Sequence, residues 1–314
     1  MRGPATSGRA ATQTTDNATV SQGQYLIQVP FTQCSVNYTW DIQDILANRG
    51  EEAFINLIRS RKIRAMWSAA NGIELGGWSA PQSAQDALRP LGVPYWLSFA
   101  PAGTVAGTYG FNGNTVRYAN GTTSSVIGGL DAVAYPKWAS FTGVYNAINN
   151  SLLTLLHTAI RQTRFEPPAF IDAPGDDNWA DSQAAFYSSN DVIAGLINLG
   201  DMRDDDNAPK DLAGKLLYSP EGTVFFNRMP FIYTKPLDAQ QVTNSQAKVV
   251  NPGAIYCIDW SKLQCVAREG LWQVDSHPIV DKGQHTVFSV FTDWSFQILG
   301  INRRSLGFCL HLPI

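Results

Sequence analysis

The order in which helical and extended patterns follow one another constrains this chain more than any other feature. Long runs of helical spacing are confined to the part before Gly200, whereas every apolar run after Lys215 is short and of strand type. A doubly wound sheet needs strand and helix to alternate from end to end, so this order predicts an α+β fold. At 314 residues the chain can bury roughly 75% of its unfolded surface and needs no disulfide or metal to hold it together.

Glu51 and Glu52 open the first helix, expected over 51–67, and Arg59, Arg61, Lys62 and Arg64 lie toward its end, a polarity that complements the helix dipole. Phe54, Leu57, Ile58, Ala65 and Met66 approximate the spacing of one apolar face. Ser151 caps a second helix that carries Leu152, Leu153, Leu155, Leu156, Ala159 and Ile160, and Pro167-Pro168 stops it. A shorter helix is expected from Asn190 or Asp191 to Leu199. Glycines and turn residues punctuate 71–140, which predicts short irregular strands and long loops there. In the last third, Leu216–Tyr218 and 223–226 flank the turn Ser219-Pro220-Glu221-Gly222. Further strands are expected at 255–258, 263–266, 286–291, 296–301 and 308–312.

Residues 1–24 are nearly all Gly, Ala, Ser, Thr, Gln and Asn, with Arg2 and Arg9 as the main charges. Such a segment cannot bury enough surface to order itself. Residues 25–29 then read as a strand limited by Pro30, and 32–40 as an extended ribbon. Charged residues make up only 16% of the chain, against about 25% in an ordinary soluble domain, and Arg outnumbers Lys by 15 to 8. Interfaces are depleted in Lys, Glu and Asp and enriched in Arg and aromatics, so this profile hints at a chain that lives in contact with other chains. A net charge of −3 supplies no strong basic field for nucleic acid. No apolar run approaches the ~18–20 residues of a membrane span.

Catalytic templates fail throughout. The sequence holds no G-x-S-x-G, G-x-G-x-x-G, Walker or H-E-x-x-H pattern, and its four histidines form no ligand-spaced pair. Asp201-Met202-Arg203-Asp204-Asp205-Asp206 lacks the Gly and Glu that a calcium loop needs and reads as a solvated loop. Cys34, Cys257, Cys265 and Cys309 are scattered and read as buried small hydrophobes. No catalytic residue, cofactor or metal site is therefore expected. The rival reading, a carbohydrate-active enzyme or carbohydrate-binding module, rests on Asp259, Glu269, Asp275 and Asp281 among Trp260 and Trp272.

A series of short motifs points elsewhere. Arg61-Lys62-Ile63-Arg64-Ala65-Met66-Trp67 closes the first helix, followed by Gly92-Val93-Pro94-Tyr95-Trp96-Leu97 and Gly128-Gly129-Leu130-Asp131. Tyr135-Pro136-Lys137-Trp138 and Phe141-Thr142-Gly143-Val144-Tyr145 come next, then Thr163-Arg164-Phe165-Glu166-Pro167-Pro168. Phe226-Asn227-Arg228-Met229-Pro230-Phe231, Lys235-Pro236-Leu237-Asp238, Ile255-Tyr256-Cys257-Ile258-Asp259-Trp260, Gly283-Gln284-His285-Thr286-Val287 and Asn302-Arg303-Arg304 complete the series. In this order, over residues 20 to 312, the chain resembles the major capsid proteins of tailed bacteriophages with the Hong Kong 97-type fold.

The resemblance implies an α+β capsid fold with an extended loop at 1–40, a peripheral domain at 41–140 completed by 303–314, and an axial domain at 141–302. It implies a structural protein that assembles into hexameric and pentameric capsomers of an icosahedral shell around double-stranded DNA. It also implies residence in the virion after synthesis in the host cytoplasm. Further implied partners are scaffolding and portal proteins and weak, non-specific contact with packaged DNA, with no membrane. Assembly-interface candidates are Arg2, Arg9, Arg59, Arg61, Arg64, Arg303 and Arg304. Relatives carry an N-terminal arm ahead of the extended loop, and this sequence is expected to begin inside that loop.

Overall fold

The computed structural model describes residues 27–47, 51–86, 88–163, 184–201, 216–218, 224–227, 229–240, 253–281 and 283–313. Arg2, Arg9, Pro167-Pro168, the turn at 219–222 and the acidic run beyond Asp201 lie outside them. The described chain is built on two main sheets. Strands β2 (Tyr109–Gly113), β7 (Ser140–Val144), β8 (Ala184–Ser188), β9 (Leu216–Tyr218), β10 (Val224–Phe226), β11 (Met229–Tyr233), β12 (Ile255–Asp259) and β16 (Gly307–His311) form an eight-stranded mixed sheet in the order β2-β7-β16-β12-β8-β11-β10-β9. The smaller sheet runs β1 (Thr32–Asp41), β15 (Gln284–Gly300), β13 (Leu263–Asp275), with β14 (Ile279–Asp281) paired to β15 beside β13.

Apolar cores lie on both faces of the large sheet, which is why its central strands read as continuous apolar runs rather than alternating ones. Along β12, Ile255 and Cys257 enter one core while Tyr256 and Ile258 enter the other. In the same way, β16 sends Phe308 and Leu310 to the first and Cys309 to the second. Helices α4 (Asn150–Thr163) and α5 (Asn190–Asp201) close the first core, with Leu152, Leu156 and Leu196 at 1% exposure or less. The second core is filled by α3 (Val93–Trp96), Trp78, Trp138 and the short hairpin of β5 (Val126–Ile127) and β6 (Leu130–Asp131).

In the smaller sheet, by contrast, β1 alternates from Thr32 to Trp40, with Thr32 buried, Cys34, Val36, Tyr38 and Trp40 half-buried, and Gln33, Ser35, Asn37 and Thr39 exposed. Its covered face meets α2 (Glu51–Gly77) through Cys34, Val36, Met66, Ala69, Ile73, Trp294 and Phe296. The expected apolar residues Leu57, Ile58, Ala65 and Met66 are all half-buried. The helix runs ten residues past its expected end at Trp67. Packing of Ala69 and Ile73 on the sheet overrides the poor helix propensity of Gly72, Gly76 and Gly77. Gly92 lies against that helix end, where a Cβ would overlap the carbonyl oxygens of Gly76, Gly77 and Ser79.

Two other expectations change. The separate strands at 286–291 and 296–301 are one 17-residue strand, because its polar middle pairs with β1 on one edge and β13 on the other. Residues 27–31 join no sheet; Ile27 and Val29 pack against the second core, and the Gln28 amide donates to the Gly128 carbonyl at 3.1 Å.

Candidate functional site

Ten consecutive residues, 91–100, are buried. A segment without regular partners must satisfy its backbone polar groups some other way, and here side chains from the last strands do it. The Leu91 amide donates to Gln297 Oε1 at 2.7 Å, and the Ala100 amide to His311 Nε2 at 2.9 Å. Arg303 Nε donates to the Trp96 carbonyl at 2.7 Å. The rest of the guanidinium spreads outward, with Nη1 on the Trp138 carbonyl at 2.8 Å and Nη2 on Ser98 Oγ at 2.9 Å, the Gly113 carbonyl at 3.0 Å and Ser140 Oγ at 3.3 Å. Its partners are three carbonyls and two hydroxyls, none of them ionised. Burial pulls the guanidinium down to about 9, opposed by the nearby Tyr95 hydroxyl, and it stays charged at neutral pH.

Arg303 is 0% exposed within a single chain, so it cannot form the intersubunit salt bridge expected of it. The planar fork is spent instead on tying α3, β2 and β7 together. Its neighbour Arg304 is half-buried with its guanidinium carbon 3.9 Å from the centre of the Phe111 ring. Arg61 bridges Asp44 at 2.8 Å and donates to the Thr39 carbonyl at 2.7 Å, fastening α2 to the short helix α1 (Ile42–Ala47) and to β1. Arg59 and Arg64 are exposed. Lys62 meets Asp275 at 2.5 Å, and Thr292 donates to the same carboxylate at 2.6 Å. These two contacts hold the Asp275 carboxyl below the usual carboxylate range, the lysine being the larger cause.

The outward face of α2 is not only polar. Arg59, Ile63, Trp67 and Asn71 follow one another at i, i+4 spacing and line a shallow groove with Asn56 and Arg64. Ile63 is 48% exposed and Trp67 is 73% exposed. A second apolar strip lies at the β13–β14 side of the small sheet, where Val266, Trp272, Val274, Ile279 and Val280 are exposed. There β13 bulges between Ala267 and Trp272 around Gly270 at φ +74°. Such a turn lifts charged Arg268 and Glu269 at a strand edge, a device that discourages indiscriminate edge pairing.

Four of the residues behind the carbohydrate reading are committed elsewhere. Asp259, 1% exposed, accepts from the Ser261 amide at 3.0 Å and hydroxyl at 2.7 Å at the end of β12. Asp275 belongs to the other sheet and holds Lys62. Trp260 donates through Nε1 to the Tyr187 hydroxyl at 2.7 Å, and Trp272 packs edge-on against Phe296. Of the cysteines, Cys257 and Cys309 are buried as expected, Cys34 is half-buried and Cys265 is exposed on β13.

Sequence reasoning placed Arg303 on the surface because nothing local distinguishes a buried arginine from an exposed one. Gln297 and His311 escaped it for the same reason, since their partners lie 206 and 211 residues away. Trp67 did carry a signal, being an apolar residue four positions after Ile63 on a side of the helix away from Ala65.

No family model matches the sequence, and no curated protein matches it. Among solved structures, the chain is similar to the subunit of the cyanophage A-1(L) capsid, with 14% identity and a TM-score of 0.57, covering 96% of this chain and 84% of that one. The mature capsid of bacteriophage PhiM1 (13% identity, TM-score 0.43, 99% and 80% covered) and the capsid of Myoviridae phage XM1 (12%, 0.43, 96% and 81%) also match. The chain has the α+β fold of a phage capsid subunit, the fold that its sequence motifs lead one to expect.

Proposed function

We propose that the protein is a major capsid protein, self-assembling into hexameric and pentameric capsomers of an icosahedral head that encloses phage double-stranded DNA. The observation that carries this reading is the match to the cyanophage capsid subunit along 96% of the chain. The function is association without turnover, located in the virion shell after synthesis in the host cytoplasm. Scaffolding and portal proteins are its further partners, and contact with packaged DNA is weak and non-specific. Subunit contacts around five- and six-fold axes are heterologous, so one surface of each copy meets a different surface of the next.

The domain division is best drawn along the sheets. The small sheet with α2 serves as the peripheral unit, and the large sheet with α4 and α5 as the axial unit. Residues 303–314 then go with the axial unit, because β16 pairs with β7 and β12. Residues 32–41 and 263–300 go with the peripheral unit, because β1 and β13 pair with β15. Arg59 and Arg64, beside Ile63 and Trp67, are the intersubunit candidates on α2, and Arg2, Arg9 and Arg304 belong to the same proposal.

Size-exclusion chromatography with light scattering and negative-stain electron microscopy of the purified chain tests the reading. Capsomers or closed shells are expected; a clean monomer that binds glycans overturns it.

A further inference from the structure

The exposed loop Pro101–Thr108 is held at one foot by a histidine. His311, 1% exposed, ends β16 and accepts the Ala100 amide on Nε2 at 2.9 Å, while Nδ1 meets the Leu312 carbonyl at 2.7 Å. With a carbonyl at Nδ1 and an N–H at Nε2, only one neutral tautomer satisfies both. Phe99 packs its ring edge-on at 4.9 Å. The other foot is backbone alone, with Gly107 N donating to the Val144 carbonyl at 2.7 Å and Val144 N to the Thr108 carbonyl at 2.9 Å. Between these feet the loop is exposed almost throughout, Val105 at 74%.

We propose that His311 is an acid-sensitive pin: protonating its ring removes the acceptor for the Ala100 amide and releases the 101–108 loop. An imidazolium would aim a second N–H at the amide it now accepts, and it would do so in a buried site with no counter-charge. The titratable groups on and beside the surrounding strands are Tyr145 just after β7, Tyr256 on β12 and Cys309 on β16 itself. Burial raises both the Tyr145 phenol and the Cys309 thiol, so neither supplies an anion in the acid range. The segment 97–101 brings Leu97, Ser98, Phe99, Ala100 and Pro101, which carry no ionisable side chain. The His311 ring agrees with this picture: burial pulls it down to about 4, opposed by the bond to the Leu312 carbonyl.

The sign follows from the same shift. Between the unfolded value of about 6.5 and the folded value of about 4, the open form binds the proton better, so opening grows as pH falls. For a ring released to ordinary behaviour, the open population rises about 60-fold from pH 7 to pH 4.5.

Hydrogen exchange read by mass spectrometry on the full chain, corrected for intrinsic rates, tests the pin. Peptides over 100–108 are expected to lose protection across this range while peptides over α4 keep theirs. His311→Gln can accept from Ala100 and donate to Leu312 but cannot titrate, so its loop protection should not depend on pH. If that variant fails to fold, the C2–H exchange of His311 in the wild-type chain decides, with its midpoint expected well below 6.5. A midpoint near 6.5 with the loop still protected, or an equal acid response in His311→Gln, overturns the proposal. The test is independent of the capsid reading, because it is read within one chain whether or not shells form.

Discussion

Replacing Arg303 with Met should destabilise the chain well beyond what a surface arginine substitution does. The methionine fills much of the space but takes the guanidinium donors from the buried carbonyls of Trp96 and Trp138, while the Gly113 carbonyl keeps the Ser140 hydroxyl at 3.4 Å. At about 1–3 kcal/mol for each such acceptor, the loss is roughly 2–6 kcal/mol, the two hydroxyls being free to turn elsewhere. Against this, the variant no longer has to desolvate a guanidinium, which costs several kcal/mol in the native protein. The net expectation is about 1–3 kcal/mol of destabilisation, a sizeable share of the roughly 5–15 kcal/mol that a folded domain has. Arg303→Lys should lose most of the same stability, because one ammonium cannot span acceptors on three separate segments. Guanidinium denaturation followed by tryptophan fluorescence measures both. If Arg303→Met unfolds within 0.5 kcal/mol of wild type, as a surface arginine would (~0.5 kcal/mol), the clamp does not hold these segments together.

Ile63→Glu and Trp67→Glu should leave the unfolding midpoint almost unchanged, since both side chains are half exposed or more, yet reduce particle yield in negative-stain images. Unchanged yield for both would remove the α2 groove from the assembly surface. Gly307→Ala combines φ +148° with a Cβ that overlaps the Cys257 carbonyl, and should cost about 3 kcal/mol or more; wild-type expression and melting would contradict that packing. Asp275→Asn should cost no more than about 1 kcal/mol, because the Lys62 pair is roughly one-third exposed and screened. Its pH dependence has the carboxylate sign: the contribution is complete above the unfolded value near 4 and fades as pH falls through the lowered folded value. A double-mutant cycle with Lys62→Met that gives several kcal/mol of coupling would refute the estimate.

The elements with strong local periodicity were legible. Helix α4 begins one residue before its expected cap, and α5 starts at Asn190 as read. The strands at 255–259 and 307–311 match their apolar runs, because burial on both faces leaves no polar alternation to confuse them. The α2 end, the fusion of two apolar runs into β15 and the bulge in β13 were not legible. For the α2 end and the fused β15 the stabilising partner lies more than two hundred residues away, and the β13 bulge is set by its register against β15, 22 to 29 residues on.

Order of elements, α+β class and the identity of most core residues are properties the sequence determined by itself, since side-chain spacing and turn chemistry act within a few residues. Its motifs likewise foretold the capsid fold. Only the tertiary structure decided which arginine is a core clamp and which is surface. Arg303 and Arg59 are the same residue type in similar polar runs, but the acceptors that make one of them a clamp come from Trp96, Ser98, Gly113, Trp138 and Ser140. Those atoms converge only when the large sheet and a ten-residue buried segment have been assembled around one point, and the pairing that brings them there is long-range. The same long-range closure sets the histidine pin, whose chemistry depends on a backbone amide 211 residues away.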